Sequence, residues 1–256
     1  MTRALTVMVD GARAELLGWA FASMRVLPIA LLCPVFGGPL VPPAVRLAVA
    51  GALGLALRPL AATVAGASLD FLASCGREAA VGLVIGLGAA LPFDAARIGG
   101  RLIDLVRGTS AEAALPIAGH RESATGDVLY QLLLSLALAG GALPVLVRAI
   151  GRSHVLLPPG SALAGGSAAS VARLVSVALA TGLAVAAPVV ALSWATDAAV
   201  GLVVRATPGL PASELATPVR IVGGAAVLWL SLGLVADRML GLALSPQDWL
   251  PEVLGR

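Results

Sequence analysis

The chain has 256 residues, of which 59% are apolar and only 12% charged, with a mean hydropathy of +0.97 and a formal charge of +3. A soluble domain is about a quarter charged, so this composition indicates a polytopic membrane protein, or one covered by partners on nearly every side. All 17 basic residues are Arg and no basic run is interleaved with aromatics, so the pI near 9.6 does not argue for nucleic-acid binding.

In chain order, apolar segments are predicted at 16–36, 45–65, 77–93, 128–147, 171–196 and 219–237. Asp10 and Glu15 interrupt the residues before the first segment, so no cleavable signal peptide is expected. A helix needs about 20 apolar residues to cross the hydrocarbon core. The fourth and fifth segments meet that length. The third is short, the first contains Arg25, Pro28 and Pro34, and the second contains Arg58 and Pro59. If all six crossed, seven Arg would fall on each side of the bilayer, so the positive-inside rule gives no orientation. That balance argues against six ordinary spans. Gly- and Pro-rich breaks at 37–43, 157–166 and 207–218 separate the segments, with a polar loop at 109–127.

Between the third and fourth segments lies a charged helix, Phe93 to Gly108. Asp94, Arg97, Arg101 and Asp104 recur at i, i+3, i+7 and i+10, which places them within about 80° of one another around a helix. At membrane depth such a stripe must face protein, water or its own counter-charges. It reads either as an ion-pair ladder, Asp94 with Arg97 and Arg101 with Asp104, or as a solvated helix face. Arg25, Arg46, Arg58 and Glu78 border or interrupt apolar segments, and Arg25 with Glu78 makes a plausible pair. Gly82 and Gly86, followed by Ala90, form a small-residue stripe suited to close helix packing.

No constellation for catalysis emerges. Cys33 and Cys75 lie far apart in apolar surroundings and read as buried free thiols. Neither His120 nor His154 has a companion at ligand spacing except Glu122, two residues from His120, so no metal or other cofactor is expected. The Gly160-Ser161 and Gly166-Ser167 pairs have no His on a later apolar helix to activate them.

Three blocks together resemble a known family. Arg25-Val26-Leu27-Pro28, Pro34-Val35-Phe36 and Val41-Pro42-Pro43-Ala44-Val45-Arg46-Leu47 are similar to the opening of the SctT/YscT/FliR family. The run from Glu78 to Leu87 resembles its third segment, and Gly99-Gly100-Arg101-Leu102-Ile103-Asp104-Leu105-Val106-Arg107-Gly108 resembles its Asp and Arg-Gly block. The order holds from about residue 20 to 240. The Ile103-Asp104 and Arg107-Gly108 form looks more like injectisome members than flagellar ones.

The resemblance implies an all-α polytopic membrane protein of kinked, tilted helices and helical hairpins. Residues 1–256 would form one export-apparatus domain, similar to an SctR-like piece fused to an SctS-like piece. It implies a structural subunit of the type III secretion export gate in the bacterial inner membrane, within the basal body. Its expected partners are SctR-like and SctS-like subunits, further SctU-like and SctV-like subunits, secreted proteins in transit and membrane lipid, with no nucleic acid. A pore plug is implied at Arg107, Gly108, Thr109, Ser110, Ala111, Glu112, Ala113, Ala114, Leu115 and Pro116. Its small residues depart from the aromatic flagellar pattern and bury less apolar area. The stripe of Asp94, Arg97, Arg101 and Asp104 is expected at an assembly surface or pore entrance, and Arg25, Arg46 and Glu78 as buried or interface charges. The alternative is a small-molecule permease, which would show broken helices around a midplane site.

Overall fold

The computed structural model describes residues 2–37, 41–57, 68–108, 123–161, 163, 167–207 and 212–255. Among them the regular structure is entirely helical: α1 (Thr2–Leu32), α2 (Pro43–Leu57), α3 (Ser68–Arg107), α4 (Ala124–Ala139), α5 (Ala142–Leu156), α6 (Ser167–Ala206), α7 (Ala212–Leu244) and α8 (Pro246–Leu254), with one 3-10 turn at Pro34–Phe36. Four described stretches are long and apolar enough to cross a bilayer: Gly11–Leu32, Phe71–Arg107, Ser167–Ala206 and Ala216–Leu244. A fifth arises if α4 and α5 count as one broken span. The chain is an all-α polytopic membrane protein.

Several predicted boundaries change. The segment predicted at 77–93 is the middle of a 40-residue helix that also carries the charged block. Pro92 removes one backbone donor but does not end the helix. The segment predicted at 128–147 is not one helix. It breaks at Gly140-Gly141, where Gly141 takes a left-handed φ of 82° that residues with a Cβ adopt at a cost. The segment predicted at 16–36 ends at Leu32, where Cys33 turns extended and Pro34 opens the 3-10 turn. Of the segment predicted at 45–65, residues 58–65 lie outside the described residues. Helix α8 has no counterpart among the predicted segments, because Gln247, Asp248 and Glu252 dilute its apolar signal over only nine residues.

The chain gathers into two compact units. One comprises Met1–Ala90, Gly140–Leu174 and Leu244–Arg256, the other Leu91–Ala139 and Val175–Ala243. Helices α3 and α6 each contribute to both.

In the first unit α1 and α2 form a hairpin. The Trp19 indole N–H donates to the Gly51 carbonyl at 2.8 Å, and Gly54 sits against Ser23, where a Cβ would collide with the α1 backbone. Pro43 opens α2, a position where the missing N–H costs nothing. The core gathers Val26 and Ile29 of α1, Val81 and Ile85 of α3, Ile150 of α5 and Leu250 of α8. Helix α8 folds back with Pro246, Leu250, Val253 and Leu254 buried, and Trp249 lies on the bare backbone of Gly88.

In the second unit the Phe93 and Tyr130 rings meet edge to face, centroids 6.1 Å apart. Leu129 and Leu133 of α4 and Val235 and Met239 of α7 are buried around a small apolar void.

Candidate functional site

Two polar clusters sit inside this apolar chain, one in each unit. The first is centred on Arg25, whose side chain is fully buried on α1. Its Nε and Nη2 donate to Glu78 Oε2 and Oε1 of α3 at 2.6 and 3.0 Å. This two-point geometry matches a planar guanidinium to a carboxylate and stabilises more than a single contact. Two further hydrogen bonds engage the rest of the guanidinium. Nη1 donates to Ser153 Oγ of α5 at 3.2 Å, and Nη2 to the Leu157 carbonyl at 3.1 Å. Glu78 Oε1 accepts the Gly160 N–H at 2.8 Å, and the exposed Arg77 donates to the Gly160 carbonyl at 3.1 Å. One pair thereby ties α1, α3, α5 and the turn after α5 together.

The small-residue stripe makes this possible. A Cβ on Gly82 would run into the Arg25 carbonyl, and one on Gly86 would meet Ile29 Cα at 3.0 Å and the Pro28 carbonyl at 3.1 Å. Arg46 lies apart from this pair. Its Nε donates to the Val41 carbonyl at 3.1 Å and its Nη1 to the Leu31 carbonyl at 3.3 Å, which ties the α1–α2 turn to an open carbonyl at the end of α1.

The second cluster is the charged block on α3. Its four charges divide. Asp94 and Arg101 are exposed, and Arg97 is half-buried with its guanidinium carbon 3.9 Å from the centre of the Tyr130 ring, a cation–π contact. Asp104 is 4% exposed. Its Oδ2 accepts Ser123 Oγ at 2.7 Å and the Thr125 N–H at 3.0 Å, and its Oδ1 accepts Thr125 Oγ1 at 2.5 Å. Ser123 Oγ in turn accepts the Gly126 N–H at 2.9 Å. Asp104 and Ser123 together cap α4 and place negative charge at its positive end.

Glycines bring these partners into range. A Cβ on Gly100 would overlap the backbone of Gly126, and Gly99 and Gly182 of α6 lie backbone to backbone in the same way. Arg107 ends α3 with Nη2 donating to the Ile221 carbonyl of α7 at 2.8 Å, its stem lying on Gly224. Gly108 follows with φ of 71°.

Of the residues expected in a plug, Arg107 and Gly108 are described, and Thr109 to Pro116 lie outside the described residues. His120 lies outside them too. His154 is buried with Nδ1 on the Ile150 carbonyl at 3.0 Å. Sequence reasoning missed Ser123, Thr125, Tyr130, Ser153 and Gly160. Ser123 carried a local signal, a Ser just before an apolar run with Asp127 early in the helix. The others depend on long-range packing.

The family described as "Bacterial export proteins, family 1" matches residues 16–244. The flagellar biosynthetic protein FliR of Caulobacter vibrioides is 28% identical over 223 residues, covering 85% of this chain and 89% of that protein. The Yop proteins translocation protein T of Yersinia pestis and that of Yersinia pseudotuberculosis are each 30% identical over 149 residues, 57% of either chain. The family match reaches into both units and takes in every residue of the two clusters: the chain belongs to the bacterial export protein family that includes FliR and the Yop translocation protein T.

Proposed function

We propose that this chain is a structural subunit of a type III secretion export gate. It completes a helical ring with SctR-like and SctS-like subunits in the inner membrane, beside SctU-like and SctV-like subunits of the basal body. Unfolded proteins pass through this ring into the secretion channel. The observation that carries the reading is the family match over residues 16–244.

The apolar surface supports it. Only 11% of the most apolar window of α7 and 28% of that of α6 is buried within the chain. Trp194, Trp229 and Leu230 are 71 to 75% exposed. Helices this bare require neighbouring subunits or lipid. Each cluster ties together the helices of its own unit. Residues 107–116 serve as a plug loop in this reading, leaving α3 at Arg107. Asp94 and Arg101, exposed on α3, face the pore entrance or a neighbouring subunit.

The test is a mild-detergent pull-down of the C-terminally tagged chain, followed by mass spectrometry of the intact complex. One copy beside several SctR-like and SctS-like subunits is the expected result. A monomer or homodimer, in cells that contain those partners, overturns the reading in favour of a permease. Deleting the gene tells the systems apart, through loss of motility or loss of effector secretion.

A further inference from the structure

We infer that Arg107, Arg220 and Ser193 form a site for the phosphate group of an anionic phospholipid, on the flank of the α6–α7 hairpin. The three residues belong to the second unit, and the site is independent of the plug reading above.

Three helices bring these side chains to one place. Arg107 closes α3 with Nη2 on the Ile221 carbonyl and its stem on Gly224 of α7. Arg220 lies one turn before Gly224 on the same face of α7 and pairs with Asp197 of α6. Ser193 lies one turn before Asp197, and its neighbour Leu192 packs on Gly223. Arg107 Nε, Arg220 Nε and Ser193 Oγ are all buried with no hydrogen-bond partner among the described residues. Ser193 is 1% exposed. Asp197 is the one carboxylate bonded to either Arg among the described residues. Asp104, three residues before Arg107, turns its oxygens to Ser123 and Thr125 instead. Unmet donors beside a guanidinium without its own carboxylate require an acceptor that carries negative charge. The planar guanidinium matches phosphate oxygens, and a hydroxyl completes such a set.

The spacing of charge along α7 points to a lipid as the source of that phosphate. Residues 221–236 carry no charge and are bracketed by Arg220 and Asp237. From 220 to 237 the helix rises about 26 Å at ~1.5 Å per residue, close to the ~30 Å of a hydrocarbon core. With Asp237 at one headgroup layer, Arg220 stands at the other, level with lipid phosphates. Along the bracketed stretch Val222, Trp229 and Leu230 are 70 to 75% exposed, and Trp194, next to Ser193, is 71% exposed. This bare face receives the acyl chains of the lipid whose phosphate the two Arg hold.

The test titrates phosphatidylglycerol, phosphatidylcholine and inorganic phosphate into the complex purified through its tagged chain and stripped of lipid in detergent. Native mass spectrometry counts bound lipid, and melting temperature reports stabilisation. Wild type is expected to hold phosphatidylglycerol at least about tenfold more tightly than phosphatidylcholine. Arg107→Gln weakens phosphatidylglycerol binding about tenfold, the loss expected for one hydrogen bond to a charged group. Ser193→Ala weakens it about fivefold and decides the matter if Arg107→Gln fails to assemble. Arg152→Gln, exposed on α5 in the other unit, leaves binding unchanged. Equal affinity for the two lipids, or wild-type affinity in the assembled variants, overturns the site. Equal stabilisation by inorganic phosphate overturns the lipid and leaves a free anion in its place. An intact complex without phosphatidylglycerol, in which position 107 cross-links to an acidic segment of a neighbouring subunit, overturns the lipid in favour of a protein carboxylate.

Discussion

Arg25 on α1 and Glu78 on α3 meet through Nε and Oε2 at 2.6 Å, with side chains 0% and 1% exposed. Fifty-three residues separate them in sequence. The hydrogen bonds to Ser153, Leu157 and Gly160 make this pair the centre of the first unit rather than an isolated bridge.

Removing one partner leaves the other charge buried and uncompensated. Arg25→Ala or Glu78→Ala is expected to destabilise the chain by about 3–5 kcal/mol. The double variant Arg25→Met with Glu78→Leu removes both charges and recovers part of that loss. Recovery is incomplete because the Gly160 N–H loses its acceptor. Denaturant unfolding in detergent, followed by circular dichroism, measures all three; a double variant worse than either single one contradicts this account.

Gly100 and Gly82 face backbone with no room for a Cβ, whereas Gly76 and Gly201 have nothing within 4 Å. Gly100→Ala and Gly82→Ala should therefore abolish accumulation of the folded chain. Gly76→Ala and Gly201→Ala should be neutral or stabilising by about 0.5–1 kcal/mol, since Ala loses less backbone entropy in a helix. Protein abundance and melting temperature distinguish the two groups.

Burial pushes the Cys33 thiol up to about 12 from 9.0, against a smaller opposing effect of its hydrogen bond with the Val35 backbone. The folded chain keeps this proton between pH 9 and about 12 while the unfolded chain releases it. Cys33 thus contributes no pH dependence below pH 9, and stability falls as pH rises through that window. Maleimide should leave Cys33 unmodified in the native protein at pH 7 to 8 and label it rapidly in denaturant. Native labelling at the rate of a free thiol would refute this.

Helix α8 supplies Leu250 and Leu254 to the core of the first unit, and its Glu252 accepts from the exposed Arg173 at 2.8 Å. Ending the chain after Leu244 removes this apolar contribution and is expected to lower folded yield several-fold. Arg173→Ala, which removes this exposed pair, should cost about 1 kcal/mol or less. Size-exclusion profiles of the two variants give the comparison.

Much of this protein was legible in sequence. Apolar runs and scarce charge already dictated a helical membrane chain, because unpaired backbone groups cannot be left in hydrocarbon. The rarity of charge also drew attention to the residues that hold the two clusters together, Arg25, Glu78, Arg97 and Asp104. The order of the motif blocks pointed to the export family.

Only the tertiary structure decided what those residues touch. The stripe on α3 has a period that puts four charges on one helix face, yet periodicity says nothing of what lies opposite. Asp104 turned inward because Gly100 lets α4 approach until its unpaired N-terminal donors reach the carboxylate. Arg97 lies against Tyr130, while Asp94 and Arg101 stay exposed on the same helix. The break at Gly141 was likewise hidden, since Gly140-Gly141 sits within an apolar run that hydropathy alone reads as continuous. Composition set the solvent this chain folds in; close approach at a handful of glycines selected the partners.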